Sequence, residues 1–153
     1  MKQRIQFISK TAVLILMTMI LQSNSGKSGG DVYRIFLNDK LLLEQFVTLP
    51  VKTKALSLDG ANQNDHFIIH YSHCGLAGKE RSIAMKNESG KVLKEWKFAD
   101  TKATGMQLTV KKLSDASGKN GKTFIYYTSK EIPTGKLLTT LDATKKATAN
   151  VSH

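Results

Sequence analysis

Three of the chain's four histidines and its single cysteine fall within nine residues, His66-Phe-Ile-Ile-His70-Tyr-Ser-His73-Cys74. Imidazole and thiolate together suit zinc or copper, and a thiol beside an imidazole is also the starting material of a Cys–His nucleophile pair. Backbone geometry decides between these uses. In an extended strand His66, His70 and Cys74 share one face, each about 13 Å from the next at about 3.3 Å per residue, while His73 points the other way. A metal site built on His70, His73 and Cys74 therefore requires the chain to bend at His73-Cys74-Gly75, which Gly75 permits, and a further ligand from a neighbouring strand. The plainer expectation is a strand whose Phe67, Ile69 and Tyr71 face the core, with His70 half exposed and Cys74 a small buried residue. Catalysis at Cys74 would need an imidazole in contact with the thiol, and one straight strand does not supply it.

Other motifs carry less. Gly75-Leu-Ala-Gly78-Lys79 has two glycines separated by two residues, followed by Glu80 where a phosphate loop needs Ser or Thr. It reads as a glycine-bounded loop, and no cofactor is expected. Twelve acidic residues spread along a basic chain give no candidate carboxylate pair for glycoside hydrolysis. No catalytic residue is assigned, and hydrolysis stands as a third function behind binding and metal capture.

The N-terminus supplies an address. Lys2, Arg4 and Lys10 precede and flank an apolar run, Thr11 to Leu21, with Ser23 and Ser25 behind it, the pattern of a cleaved signal peptide. That run is too short for the roughly 20 residues a membrane-spanning helix needs. The expected organisation is a signal peptide over 1–25, a linker over 26–30, one domain over 31–141 and a disordered tail over 142–153. The expected location is periplasmic or secreted, without a membrane span after cleavage. A lone cysteine excludes a disulfide scaffold, so an apolar core must hold the exported domain together.

Charge bears on partners. The chain has 23 Lys and Arg against 12 Asp and Glu, and three of the bases lie in the first 25 residues, which leaves eight surplus positive charges on the domain. Such a field attracts anionic envelope components or an acidic protein surface. The bases are scattered in ones and twos, and beyond residue 25 only Arg34 and Arg81 are arginine. Arginine is the side chain that forks onto phosphate, so nucleic acid is not expected as a partner.

The elements that must position these residues show a period close to two. Val32 to Leu37, a turn at Asn38-Asp39, and Lys40 to Val47 form a hairpin, since Asn followed by Asp tolerates the positive φ of a tight turn. That register pairs Leu37 with Lys40, Phe36 with Leu41, Ile35 with Leu42 and Tyr33 with Glu44. Short strands are expected at Lys54 to Leu58 and Phe67 to His73. A second hairpin joins Arg81 to Asn87 with Lys91 to Phe98, with Trp96, Phe98 and Val92 packed inward against Ile83 and Met85. Met106, Leu108 and Val110 alternate with polar residues, while Met106, Val110 and Leu113 fit a helical turn, so this strand can end in a short helix. A loop is expected over 114–122, and the last strands are Phe124 to Ser129 and Leu137 to Leu141, joined across Pro133-Thr-Gly135. About eight short antiparallel strands at this spacing make an all-β fold, a single β-sandwich or a partly closed barrel.

The stretches Tyr33-Arg-Ile-Phe-Leu-Asn-Asp-Lys40, Tyr71-Ser-His-Cys-Gly75 and Gly78-Lys-Glu-Arg-Ser-Ile83 resemble short exported bacterial proteins of unknown function. The resemblance implies a free-standing exported domain and transfers no site residues. The leading expectation is thus a non-enzymatic exported β-domain that binds a macromolecule, with a small metal-binding protein as the alternative.

Overall fold

The computed structural model describes residues 30–47, 53–101, 105–118 and 121–142. The expected leader and nearly all of the expected linker and tail lie outside these residues. Two open sheets face one another. The first has the order β2-β1-β4-β7, from β1 (Val32–Leu37), β2 (Lys40–Phe46), β4 (His66–Ser72) and β7 (Met106–Thr109). The second has the order β3-β9-β8-β5-β6, from β3 (Ala55–Ser57), β5 (Ser82–Lys86), β6 (Val92–Lys97), β8 (Lys122–Ser129) and β9 (Ile132–Asp142). The fold is a β-sandwich, and neither sheet closes into a barrel. It has nine described strands, and β3 runs parallel to β9 where only antiparallel pairs were expected.

Alternation builds the core. Along β4, Phe67, Ile69 and Tyr71 are buried while His66 and His70 are exposed. Tyr33 and Ile35 of β1 do the same beside them. Ile83, Met85, Ile125, Tyr127 and Leu138 face them from the second sheet. Each such side chain removed from water stabilises the fold by about 1.5–3 kcal/mol.

The first hairpin turns at Asn38, φ 51°, as expected. Its register departs after two pairs, because a bulge between Ile35 and Phe36 moves the pairing to Ile35 with Leu43, Arg34 with Glu44 and Tyr33 with Gln45. The reason is burial. The unbulged register would set Glu44 on the core face beside Tyr33, whereas the bulge turns Leu43 inward and brings Glu44 out to Arg34, 2.6 Å away.

The second hairpin pairs Ile83 with Trp96 and Met85 with Lys94, then shifts so that Val92 lies opposite Lys86. Trp96 and Phe98 pack partly buried against the core as expected, but Val92 is 50% exposed. Strand β6 is a sheet edge, and its Lys94 and Lys97 deter pairing with another chain.

Strand β7 passes directly into α1 (Val110–Ser117), the strand-to-helix change that the spacing of Met106, Val110 and Leu113 signalled. Thr109 Oγ1 accepts the Lys112 N–H at 3.3 Å, and Gly118 at φ 57° ends the helix with its N–H on Ser114. The expected loop over 114–122 therefore begins four residues late. The β8–β9 turn falls at Lys130-Glu131, and Pro133 lies inside β9. The proline is tolerated near a register irregularity between Tyr127 and Ser129, where ladder bonding is already interrupted.

Candidate functional site

Past Ile69, β4 has no strand on one side among the described residues, because β7 pairs with His66–Ile69. The chain then reverses. Cys74 at φ 47° and Gly75 at φ 87° form a tight turn closed by reciprocal hydrogen bonds of 2.8 Å between His73 and Leu76. This is the bend that the metal reading required. It also overturns the expected burial of Cys74, which is exposed at the tip of the turn.

The bend parts His70 from the other two candidate ligands, which both reach Asp31. His70 stays on the outer face with its ring against the edge of Phe36, 5.7 Å between centroids. His73 turns inward, and both of its ring nitrogens have partners: Nδ1 lies 3.1 Å from Asp31 Oδ2, while Nε2 lies 3.0 Å from the Tyr127 hydroxyl and 3.2 Å from Ser129 Oγ. Cys74 Sγ is 3.9 Å from Asp31 Oδ1. Among the described residues no group of three or more His, Cys, Asp or Glu side chains is arranged to hold a metal ion.

His73 is thus the hub of a polar network joining both sheets. The Tyr71 hydroxyl donates to Asp31 Oδ2 at 3.0 Å, and its ring stacks on Tyr127 at 4.2 Å. Burial pushes both Tyr71 and Tyr127 above the usual phenol range; the Asp31 carboxylate adds to the rise at Tyr71, whereas the Ser129 hydrogen bond and the Arg81 charge oppose it at Tyr127. Glu131, exposed at the turn, is held below the ordinary carboxylate range by a Ser129 hydrogen bond and by backbone N–H groups.

Asp31, His73 and Ser129 stand in the order and at the distances of a proton relay onto a serine. Space is what the relay lacks. Ser129 is 5% exposed, and Gly78 lies so close over it that an added Cβ would fall on the Tyr127 hydroxyl and sit 2.9 Å from His73 Nε2. The Tyr127 hydroxyl also shares Nε2 with the serine.

Arg81 presents the opposite situation. Its guanidinium is buried, with the residue 3% exposed, and it donates to the Ala99 carbonyl from Nε at 2.9 Å and from Nη2. Among the described residues it forms no ion pair, although a buried guanidinium ordinarily has a carboxylate partner. It lines two cavities. One is an open groove of about 660 Å³ bordered by Lys97, Phe98, Ser129, Lys130 and Pro133, with Glu80 and Glu95 on its walls. The other is a pocket of about 190 Å³ beside β1 and the end of β4, lined by Arg34, His70, Ser72 and Leu76 together with Arg81. Burial pulls His70 below its ordinary value, and the charges of Arg34 and Arg81 act in the same direction.

Sequence reasoning missed Asp31, Tyr127 and Ser129 as partners of His73, since they come from distant parts of the chain. One signal for the pockets was present. Beyond residue 25 the chain has two arginines among twenty basic residues, and both line the same small pocket. No family model, curated protein or solved structure matches this chain.

Proposed function

We propose that the chain is a non-enzymatic exported binding domain that takes an anionic ligand, an envelope component, in the groove over Arg81. One observation carries this reading: a buried guanidinium without an ion pair among the described residues forms part of the wall of an open groove. The groove volume lies within the roughly 300–1,000 Å³ of small-molecule sites. Lys97 and Lys130 add charge at its walls, and Phe98 and Pro133 add apolar surface for the rest of the ligand. The basic surplus of the domain supports the same choice of partner, and the charged and apolar pattern of residues 1–25 supports export.

The test is a titration of isotope-labelled protein with muropeptides and with phosphorylated lipopolysaccharide core fragments. Saturable amide shifts at Lys97, Thr128 and Lys130, weakened in Lys97→Gln and Lys130→Gln, are the expected result. Shifts that spread over all lysines and vanish with modest salt would reduce the interaction to a screened surface field and sink the groove.

A second reading is favoured by the Asp31–His73–Ser129 distances: a serine hydrolase. A fluorophosphonate probe decides it, because covalent labelling of Ser129 that disappears in His73→Gln requires an activated nucleophile. The packing of Gly78 over Ser129 predicts no labelling.

A further inference from the structure

The small pocket on the other side of Arg81 differs from the groove in its charge. Arg34, His70 and Arg81 line it together with Val32, Tyr71, Ser72 and Leu76, and among the described residues no carboxylate contributes to its wall. The three basic groups come from three separate places: β1, β4 and the residue preceding β5. Folding has therefore brought two guanidiniums together beside an imidazole, and like charges so placed cost free energy unless something of opposite sign resides there.

Arg34 is only partly committed elsewhere. Its Nε donates to Glu44 at 2.6 Å in an exposed pair, and a guanidinium has four further N–H groups. Such a pair is worth little in water. Arg81 gives hydrogen bonds to one backbone carbonyl and has no ion pair among the described residues. Ser72 supplies a hydroxyl to the wall, and Leu76, 65% exposed, stands at the rim.

We infer that the Arg34–His70–Arg81 pocket is a binding site for a phosphate or sulfate group. At about 190 Å³ it has room for one tetrahedral oxyanion. Donors arriving from three chain segments match an anion with oxygens in several directions better than a planar carboxylate, and two arginines with one imidazole match a doubly charged group. The pocket is open at Leu76, so the group can be a free ion or the end of a larger molecule. The inference shares Arg81 with the groove and rests on no other part of that reading.

The experiment follows the His70 ring and the Ser72 and Leu76 amides by NMR at constant ionic strength, while inorganic phosphate, inorganic sulfate and glycerol phosphate are added separately. Saturable shifts with either ion, and a rise in the His70 pKa on binding, are expected. Arg34→Gln and His70→Gln should each weaken binding about tenfold, the loss of one charge-assisted contact, whereas Lys97→Gln and Lys130→Gln in the groove should leave it unchanged. Both pocket residues are exposed, so neither variant threatens the fold. Binding of the ions without the ester identifies a free oxyanion as ligand, and binding of all three identifies a terminal group; each supports the site. No saturable shift with any probe, or equal weakening by groove and pocket variants, overturns it. Failure of the groove alone would show as intact pocket shifts with no response to the envelope fragments.

Discussion

His70 and His73 are three residues apart in sequence, and their surroundings are opposites. Around His73 every polar atom meets a partner: Asp31 on one nitrogen, Tyr127 and Ser129 on the other, and Glu131 4.0 Å away. His70 faces Arg34 and Arg81, and among the described residues its pocket has no carboxylate on its wall. A catalytic constellation recognised by distances alone would be placed at His73. Yet a saturated, enclosed network fixes two sheets together, while uncompensated charge beside open space is what a ligand can satisfy.

The sharpest way to break this contrast is at the roof of the hub. Gly78→Ala puts a methyl group into the Tyr127 hydroxyl and His73 Nε2, and should cost about 2–3 kcal/mol through overpacking. Urea unfolding followed by the fluorescence of Trp96, the single tryptophan, measures it. A loss under about 0.5 kcal/mol, the usual range of surface substitutions, would mean the strap lifts easily and Ser129 is reachable.

His73→Ala should come next, at about 2 kcal/mol, because it strands the Asp31 carboxylate and the Tyr127 hydroxyl without their shared partner. Tyr127→Phe removes one hydroxyl from the same network and should cost about 1 kcal/mol. If both variants unfold at the wild-type urea midpoint, the hub is not a clamp between the sheets.

The smallest effect belongs to His70. His70→Gln should change stability at neutral pH by under about 0.5 kcal/mol. Its signature is in the pH profile. The folded-state pKa lies below the ordinary 6.5, so as pH falls the unfolded chain takes up the proton first. The stability contributed by neutral His70 is full above 6.5 and is lost as pH falls through 6.5 toward the folded value. Asp65 and Glu131, held below their ordinary 3.8 and 4.5, act only in more acidic solution. Melting temperatures of wild type and His70→Gln should therefore diverge between neutral pH and mild acid. Parallel curves would mean that neither burial nor the two arginine charges act on His70.

Local signals in the sequence were read well where one residue type dictates the backbone. Asn38 placed the first turn, and the overlap of two periods around Met106 to Leu113 placed the strand-to-helix change. Register was not readable beyond the first two pairs, because the bulge at Ile35/Phe36 answers to a core that other strands complete. The parallel partner of β3 is supplied by residues 140–142, too far along the chain for any pattern to announce. At the site, the bend at Cys74-Gly75 was foreseeable from the glycine. Its partners were not, since Asp31 and Ser129 lie on either side of His73 by 42 and 56 residues.

The Tyr33 hydroxyl ends on the carbonyl of Leu138, 2.7 Å away and 105 residues along the chain. Strand β3, at the edge of its sheet, has β9 as its only neighbour among the described residues. The ribosome must therefore deliver nearly the whole domain before the second sheet and the contact between the sheets can be completed, and topologies so dominated by distant pairings fold in roughly milliseconds to seconds rather than microseconds. For a chain proposed to leave the cytoplasm, that slowness is useful: the sandwich stays unfinished until its last strand has been made.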